Sequence, residues 1–176
     1  MSLTIGDPAA PFRLPTTDGG EVSLDDLAGA PAGIVAFWCN HCPYVRAWEG
    51  RFNDIVREYS DRGVVGIAIC ANDPVSHPAD SFENMVVRAA EQRYVFAYAQ
   101  DRSQQVARAW GAERTPEVFV LDAGGRIAYH GAIDDSTDPD AVTAPYLRAA
   151  LEAVLAGDAP ATATTPAVGC TIKWSR

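Results

Sequence analysis

The sequence predicts an α/β fold in a single domain, and three observations support this prediction. Residues 33–38 form an unalternating apolar run, which is typical of a strand buried on both faces. A segment of helical periodicity and a second apolar run at 64–70 follow, and this order implies two parallel strands joined by a right-handed crossover. The chain has 176 residues, 48% of them hydrophobic, which suits one well-cored domain and is too short for two.

The segment before the first buried strand predicts a short β-hairpin. Residues 6–14 contain too many prolines for a helix and are expected to be extended. Asp18-Gly19-Gly20 is a strong turn signal, so residues 13–14 and 21–23 are expected to pair across it.

Apolar periodicity predicts the remaining elements. The longest helix is expected to begin at Pro43, where a missing N–H costs nothing, and to end near Gly63. The other helices are predicted over residues 82–90, 103–110 and 144–156. In the first of these, Val86 is expected on the inner face. The other strands are predicted over residues 95–99, 117–121 and 126–131, the last two forming a hairpin.

The final helix closes a predicted domain over residues 1–156, and residues 157–176 form a tail rich in Ala, Thr and Pro. This tail ends in Gly169-Cys170-Thr171-Ile172-Lys173-Trp174. We expect residues 157–169 to be a flexible tether that spans about 40 Å when extended. Since a domain of this size has a radius of gyration of about 16 Å, Cys170 is expected to reach almost any surface site.

Composition excludes several classes of partner. The formal net charge of −9 argues against nucleic acid and against an anionic membrane surface. The N-terminus has no basic segment followed by a hydrophobic one, and no apolar run approaches the roughly 20 residues that span a bilayer. We therefore expect a cytoplasmic protein that binds neither nucleic acid nor membrane.

Cys39 and Cys42 are the candidate catalytic residues. They lie three positions apart where the first buried strand gives way to the long helix, and the N-terminus of a helix favours a thiolate. In a reducing compartment such a pair is more often catalytic or metal-binding than structural. Cys39, His41 and Cys42 offer three zinc ligands, but no second pair stands at zinc-finger spacing, so no metal is predicted.

The order of elements, the Cys-x-x-Cys after Trp38 and the later Thr115-Pro116 resemble the thioredoxin fold. The match becomes closer over the pieces Asn40-His41-Cys42-Pro43-Tyr44-Val45, Asn72-Asp73-Pro74, Ile133-Asp134-Asp135-Ser136 and the terminal Gly169-Cys170-Thr171-Ile172-Lys173-Trp174. Together they resemble the peroxiredoxin-like branch of the thioredoxin superfamily, whose members look like alkyl hydroperoxide reductases yet carry a Cys-x-x-Cys. The resemblance implies a central mixed sheet flanked by helices, an N-terminal β-hairpin extension, an extended C-terminal tail and a cis peptide bond at Pro116.

The resemblance also implies an enzyme, a thiol–disulfide oxidoreductase that uses no cofactor. Its expected partners are a protein bearing a disulfide or thiol, or a small-molecule thiol. Cys39 would be the exposed nucleophile and Cys42 would resolve the mixed disulfide. Trp38, Asn40 and Pro43 would frame the pair, and Thr115 and Pro116 would face it. A protonated His41 is expected to lower the pKa of Cys39 and to make the pair more oxidising than thioredoxin, at roughly −270 mV.

Two alternatives remain open from the sequence. In a thiol-dependent peroxidase, Cys42 would be the cysteine that a hydroperoxide oxidises, and Cys39 or Cys170 would resolve the sulfenic acid. The third interpretation is a non-catalytic redox sensor or metal-binding module. Arg114 stands where relatives often have a further cysteine, and its guanidinium is expected to face the site. Cys70 ends a buried strand and is expected to be an inert core thiol.

Overall fold

The computed structural model describes residues 2–176. The helices are α1 (Pro43–Ser60), α2 (Phe82–Glu91), α3 (Gln105–Trp110) and α4 (Tyr146–Leu155). The strands are β1 (Arg13–Pro15), β2 (Glu21–Ser23), β3 (Ala32–Trp38), β4 (Val65–Cys70), β5 (Ala97–Gln100), β6 (Arg114–Thr115), β7 (Glu117–Asp122), β8 (Ile127–Gly131) and β9 (Cys170–Thr171).

Five strands form the central mixed sheet, in the order β5-β4-β3-β7-β8. β3 and β4 are parallel, as are β4 and β5, while β7 runs antiparallel to both β3 and β8. The strand–helix–strand unit predicted from the sequence is therefore confirmed. β1 and β2 pair antiparallel across the Asp18-Gly19-Gly20 turn, which confirms the N-terminal hairpin.

The core lies on both faces of β3, which explains why its sequence does not alternate. Ile34, Ala36 and Trp38 face one hydrophobic cluster, which also contains apolar side chains of α1, α2 and α4. Val35 and Phe37 face a second cluster, to which the N-terminal hairpin and α3 contribute. All five of these side chains are fully buried. Within residues 2–176, no helix has both the length and the apolar character that crossing a membrane requires.

Several elements differ in detail from the prediction: α3 and α4 each begin two residues later than expected, and β5 and α2 differ as follows. β5 spans Ala97–Gln100, so it begins and ends later than expected. In α2 the single fully buried apolar side chain is Met85, whereas Val86, which was expected to face inward, is 38% exposed. The predicted stripe was too wide because a short helix at the edge of a sheet buries only a narrow face.

The C-terminal tail differs most from its prediction, because it lies along the domain and is not a free tether. Thr165 pairs with the edge of the sheet through His130, with a 3.1 Å hydrogen bond from its amide to the His130 carbonyl. Further on, β9 pairs antiparallel with β6, so that Cys170 is opposite Thr115. Ile172 is only 3% exposed and joins the second hydrophobic cluster. The tail therefore places Cys170 at one defined point of the surface. The division at residue 156 stays a prediction.

Candidate active site

The Cys-x-x-Cys segment bridges the end of β3 and the start of α1. Cys42 is the N-cap of α1 and Pro43 is its first residue, as the sequence predicted. Trp38 anchors the segment from the core, where its indole Nε1 donates to the Tyr94 hydroxyl at 3.2 Å. Cys39 is 1% exposed and Cys42 is fully buried, so the expectation of an exposed Cys39 nucleophile is wrong for this structure. The docked tail, which the sequence did not predict, places Cys170 against Cys42.

Thr115 contacts both sulfur atoms. Cys39 Sγ is 3.3 Å from Thr115 Oγ1, and Cys42 Sγ is 3.3 Å from the Thr115 carbonyl oxygen. The Thr115-Pro116 peptide bond is cis, as the resemblance implied, and both residues are buried. The structure therefore brings Cys39, Cys42 and Thr115-Pro116 into one cluster.

Cys170 completes this cluster as a third thiol. Its Sγ lies 2.9 Å from Cys42 Sγ, although the two residues are far apart in the chain. All four cysteines are unbonded thiols, and Cys170 is half-buried where Cys39 and Cys42 are buried. Cys42 therefore lies between two potential disulfide partners.

The thiols differ in acidity because hydrogen bonds and charges favour one thiolate in the cluster. The pKa of Cys42 is lowered to about 4, chiefly by its hydrogen bond with Cys39 and further by Cys170 and the Val45 backbone, while burial opposes this. The pKa of Cys39 is raised by the bond with Cys42, by burial and by the charge of Asp80. This direction is opposite to the lowered Cys39 pKa that the sequence analysis predicted. The favoured thiolate is Cys42, at the N-terminus of a helix of 18 residues.

Asp80 is a buried carboxylate near Cys39 that the sequence did not single out, and its charge adds to the rise in the Cys39 pKa caused by the bond with Cys42 and by burial. Its carboxylate is fully buried and accepts from the Asn40 amide at 2.7 Å and from Asn72 Nδ2 at 2.8 Å. His41 Nδ1 lies 2.5 Å from Asp80 Oδ2. A protonated His41 would therefore be neutralised by this carboxylate and would not act on the thiols alone. One signal was available: Asp80 follows β4, and parallel strands end at the same edge of a sheet.

Asn40 fixes the conformation of the loop between the cysteines. Its Oδ1 accepts from the Tyr98 hydroxyl at 2.7 Å, and its Nδ2 donates to the Ala79 carbonyl at 3.0 Å. Arg46 Nε donates to its carbonyl oxygen at 3.1 Å. Asn40 is thus a positioning residue, which supports the prediction that it frames the pair.

Arg114 holds the tail, and its guanidinium does not lie in the thiol cluster. The side chain is exposed, and its Nη1 donates to the Gly169 carbonyl at 2.9 Å. Burial and the neighbouring Cys42 raise the pKa of Cys170 to about 11, and the charges of Lys173 and Arg114 oppose this rise. The positive charge of Arg114 therefore acts on Cys170.

Glu117 is a second buried carboxylate that the sequence did not identify. It is 3% exposed and accepts from the backbone amides of Glu113 and Arg114, both at 2.8 Å. His130 Nε2 lies 2.5 Å from its other oxygen. Because these bonds fix β6, Glu117 positions the strand that carries Thr115.

Cys39, His41 and Asp80 form a group of three metal-ligating side chains. Their ligand atoms all lie within 4.8 Å of one another. This set contains Asp80 in place of Cys42, which the sequence had offered as the third ligand. Three donors are one short of a closed structural zinc site. The zinc content of the protein purified without added metal is the measurement that tests the metal-binding alternative.

Cys70 is the fourth thiol of the chain, and its raised pKa distinguishes it from the reactive thiol of Cys42. It is fully buried at the end of β4, and burial raises its pKa to about 12. A thiol with these properties is a poor nucleophile, as expected for an inert core cysteine.

The profile of the AhpC/TSA family matches residues 5–130. The chain belongs to the AhpC/TSA family. This redoxin family contains the peroxiredoxin-like proteins of the thioredoxin superfamily, so the resemblance drawn from the sequence is confirmed, and the mixed sheet and flanking helices are those of the thioredoxin-like fold.

Individual relatives of this AhpC/TSA protein agree with that assignment. The crystal structure of a hypothetical protein from Sinorhizobium meliloti 1021 has a TM-score of 0.93 and 37% identity, covering 99% of this chain and 97% of its own. A Mycobacterium tuberculosis protein provisionally named a peroxiredoxin is 26% identical, over 82% of this chain and 85% of its own. The thiol-disulfide oxidoreductase ResA of Halalkalibacterium halodurans is 26% identical, over 69% of this chain and 65% of its own. These relatives support a redox function that acts on thiols or disulfides.

Proposed function

We propose that this protein is a thiol–disulfide oxidoreductase whose redox pair is Cys39 and Cys42. The observation that carries this proposal is the meeting of both sulfurs at Thr115, each 3.3 Å from an oxygen of that residue and beside the cis Pro116. The lowered pKa of Cys42 supports it as the attacking thiolate. This order is the reverse of the one that the resemblance implied.

The cycle follows from these roles. The Cys42 thiolate attacks a partner's disulfide, the partner's S–S bond breaks, and its released thiolate takes up a proton. The Cys39 sulfur then attacks Cys42 Sγ, which forms the Cys39–Cys42 disulfide and releases the second partner thiolate. Cys39 must lose its proton for this step, and the Asp80–His41 pair lies within 4.8 Å of it to accept that proton.

The test is the reduction of insulin disulfides with dithiothreitol as the electron donor. Cys42→Ser is expected to abolish the catalysed rate. The double variant Cys39→Ser with Cys170→Ser, which removes both thiols that can resolve it, is expected to accumulate the mixed disulfide on Cys42. Cys70→Ala is the matched control and is expected to retain the rate, because this thiol is inert. Full activity in Cys42→Ser with none in Cys39→Ser would restore the opposite order, and full activity in both would overturn the proposal.

The low pKa of Cys42 also bears on the reduction potential. A stabilised thiolate stabilises the reduced protein, so we expect a potential above that of thioredoxin, at roughly −270 mV. Equilibration with glutathione redox buffers measures it, and a value at or below that of thioredoxin contradicts this expectation.

A thiol-dependent peroxidase is the second candidate, and Cys42 with Pro43 at the start of α1 favours it. The Cys42 thiolate would attack a hydroperoxide, giving Cys42 sulfenic acid and releasing an alcohol or water. Cys39 stands where peroxidatic sites have a threonine or serine hydroxyl, which argues against efficient peroxide activation. Hydroperoxide consumption coupled to thiols, and lost in Cys42→Ser, would support the peroxidase. Its absence, with insulin reduction retained, would exclude it.

A further inference from the structure

Cys170 is the one redox-capable thiol of the cluster that the proposed cycle leaves unused. We propose that Cys170 is a third redox thiol, which exchanges with the Cys39–Cys42 disulfide through Cys42 and connects the buried pair to thiols in solution. This inference rests on the proposed function, because it needs the Cys39–Cys42 disulfide as its starting point.

The first argument is the position of the sulfur atoms. Cys170 Sγ lies 2.9 Å from Cys42 Sγ, so no large movement is needed to bond them. The backbone fixes this position, because Cys170 is paired with Thr115 in the antiparallel register of β6 and β9. Gly169 is part of the same fit: a Cβ there would lie 2.1 Å from the Thr115 carbonyl oxygen. Only glycine allows the tail to come this close.

The second argument is that the tail is held on the far side of Cys170 as well. Ile172 is buried, and its amide donates to the Glu113 carbonyl at 2.8 Å. The Lys173 amide donates to Asn72 Oδ1 at 2.9 Å, and its carbonyl accepts from Gln104 Nε2 at 2.9 Å. Cys170 is thus delivered to Cys42 by an ordered segment, and a chance encounter of a flexible chain is not required.

The third argument is access. Cys39 and Cys42 are 1% and 0% exposed, so a thiol in solution cannot reach either while the tail is docked. Cys170 is half-buried and is the part of the cluster nearest to solvent. A disulfide between Cys42 and Cys170 would therefore present a sulfur that an external thiolate can attack.

The exchange is balanced in electrons and protons. Cys170 gives up its proton and attacks Cys42 Sγ, so that the Cys39–Cys42 bond breaks, the Cys42–Cys170 bond forms and Cys39 takes up a proton. No net oxidation occurs. An external dithiol then attacks Cys170 Sγ and releases Cys42 as a thiolate. Its second thiol displaces Cys170, so the dithiol leaves as a disulfide and the protein is fully reduced.

The acidity of Cys42 favours this direction of attack. The thiol with the lower pKa is the better leaving group in disulfide exchange. The pKa of Cys42 is lowered to about 4, whereas that of Cys170 is raised to about 11. An external thiolate that reaches the Cys42–Cys170 disulfide is therefore expected to bond to Cys170 and to expel Cys42.

The experiment maps disulfides by mass spectrometry during reduction of the oxidised full-length protein with dithiothreitol. The wild type is expected to show both Cys39–Cys42 and Cys42–Cys170 bonds, and Cys39→Ser is expected to form the Cys42–Cys170 bond quantitatively. Cys170→Ser, and Cys170→Ala in case the first variant misfolds, are expected to be reduced at least tenfold more slowly. Cys170→Ser with Thr171→Cys keeps a tail thiol one position out of register and is expected not to restore the rate.

The outcomes separate this inference from the proposed function. If the wild type forms the Cys39–Cys42 bond but Cys39→Ser forms no Cys42–Cys170 bond, the role of Cys170 is overturned and the redox pair stays intact. Equal reduction rates for the wild type and Cys170→Ser overturn it too. The absence of any disulfide at Cys42 in the wild type overturns the proposed function itself.

Discussion

Replacing Gly169 with alanine is the sharpest perturbation of the tail. The added Cβ would meet the Thr115 carbonyl oxygen at 2.1 Å and Pro116 N at 3.1 Å, both of them backbone atoms. Since neither strand can yield by turning a side chain, β9 must move away from β6.

The magnitude follows from what this movement breaks. The contacts at risk are the β6–β9 pairing, the bond from Arg114 to the Gly169 carbonyl, the bond from the Ile172 amide and the burial of the Ile172 side chain. Three hydrogen bonds at about 1 kcal/mol each, with about 2 kcal/mol for the isoleucine, give an upper bound of about 5 kcal/mol. Because the strand can relax partly, we expect a loss of about 2–4 kcal/mol in docking.

The assay measures the effective concentration of Cys170 at Cys42. In a Cys39→Ser background, equilibration with glutathione gives the stability of the Cys42–Cys170 disulfide. A docking loss of about 2–4 kcal/mol predicts a decrease of roughly 30- to 700-fold.

Gly50→Ala is the matched control. Gly50 lies within α1 with no atom within 4 Å of an added Cβ, so alanine is expected to stabilise the helix by up to about 1 kcal/mol. It should leave the disulfide equilibrium unchanged. If Gly169→Ala instead leaves the disulfide equilibrium within about threefold of that of Cys39→Ser, the change is under about 1 kcal/mol. That result would show that the close approach of Gly169 to Thr115 does not hold the tail.

Three further predictions concern charge at the site. Asp80→Asn is expected to lower the pKa of Cys39, because the charge of Asp80 contributes to its rise. The NMR shift of Cys39 Cβ against pH measures this. The ultraviolet absorbance of the Cys42 thiolate is expected to persist as pH falls and to disappear only through about 4, and its absence in Cys42→Ser assigns it. Because the pKa of Cys42 is lower in the folded protein than in the unfolded chain, its thiolate adds to the free energy of unfolding. This contribution is complete above the unfolded pKa of about 8.5 and is lost as pH falls to about 4. Glu117→Ala is expected to cost about 2–4 kcal/mol in urea unfolding, because it removes the carboxylate that accepts from two backbone amides. Glu117→Gln is expected to cost less, and equal costs would contradict this account.

The sheet and the long helix could be predicted because their signals are local. The apolar run of β3 and the stripe of α1 each lie within one continuous segment, and both elements begin within one residue of the predicted position. The cis peptide bond at Pro116 could be predicted only through the resemblance, since most X-Pro bonds are trans. Cys39 and Cys42 could be predicted from a local signal, because their spacing lies within one short segment.

The tail and Asp80 could not be predicted because their roles depend on partners far along the chain. Residues 157–169 have no periodicity that signals a strand. The hydrogen bonds of the tail are made with partners far along the chain, among them β6, β8, Asn72 and Gln104. Asp80 lies in a polar loop, and only the folded structure shows that the Asn40 amide and Asn72 bury it. Its place after β4 was a weak signal, and it did not indicate that the carboxylate would lie beside Cys39.

These two unpredicted features together change the chemistry expected of the Cys-x-x-Cys pair. The bond between the two cysteines, burial and the charge of Asp80 all oppose a Cys39 thiolate, and the favoured thiolate is Cys42. The docked tail then adds Cys170 on the other side of the same sulfur. A disulfide-bearing partner must therefore compete with this chain's own tail for the edge of β6. Since the tail occupies that edge as a second strand, we expect partners to engage Cys42 after displacing the tail, or Cys170 without displacing it.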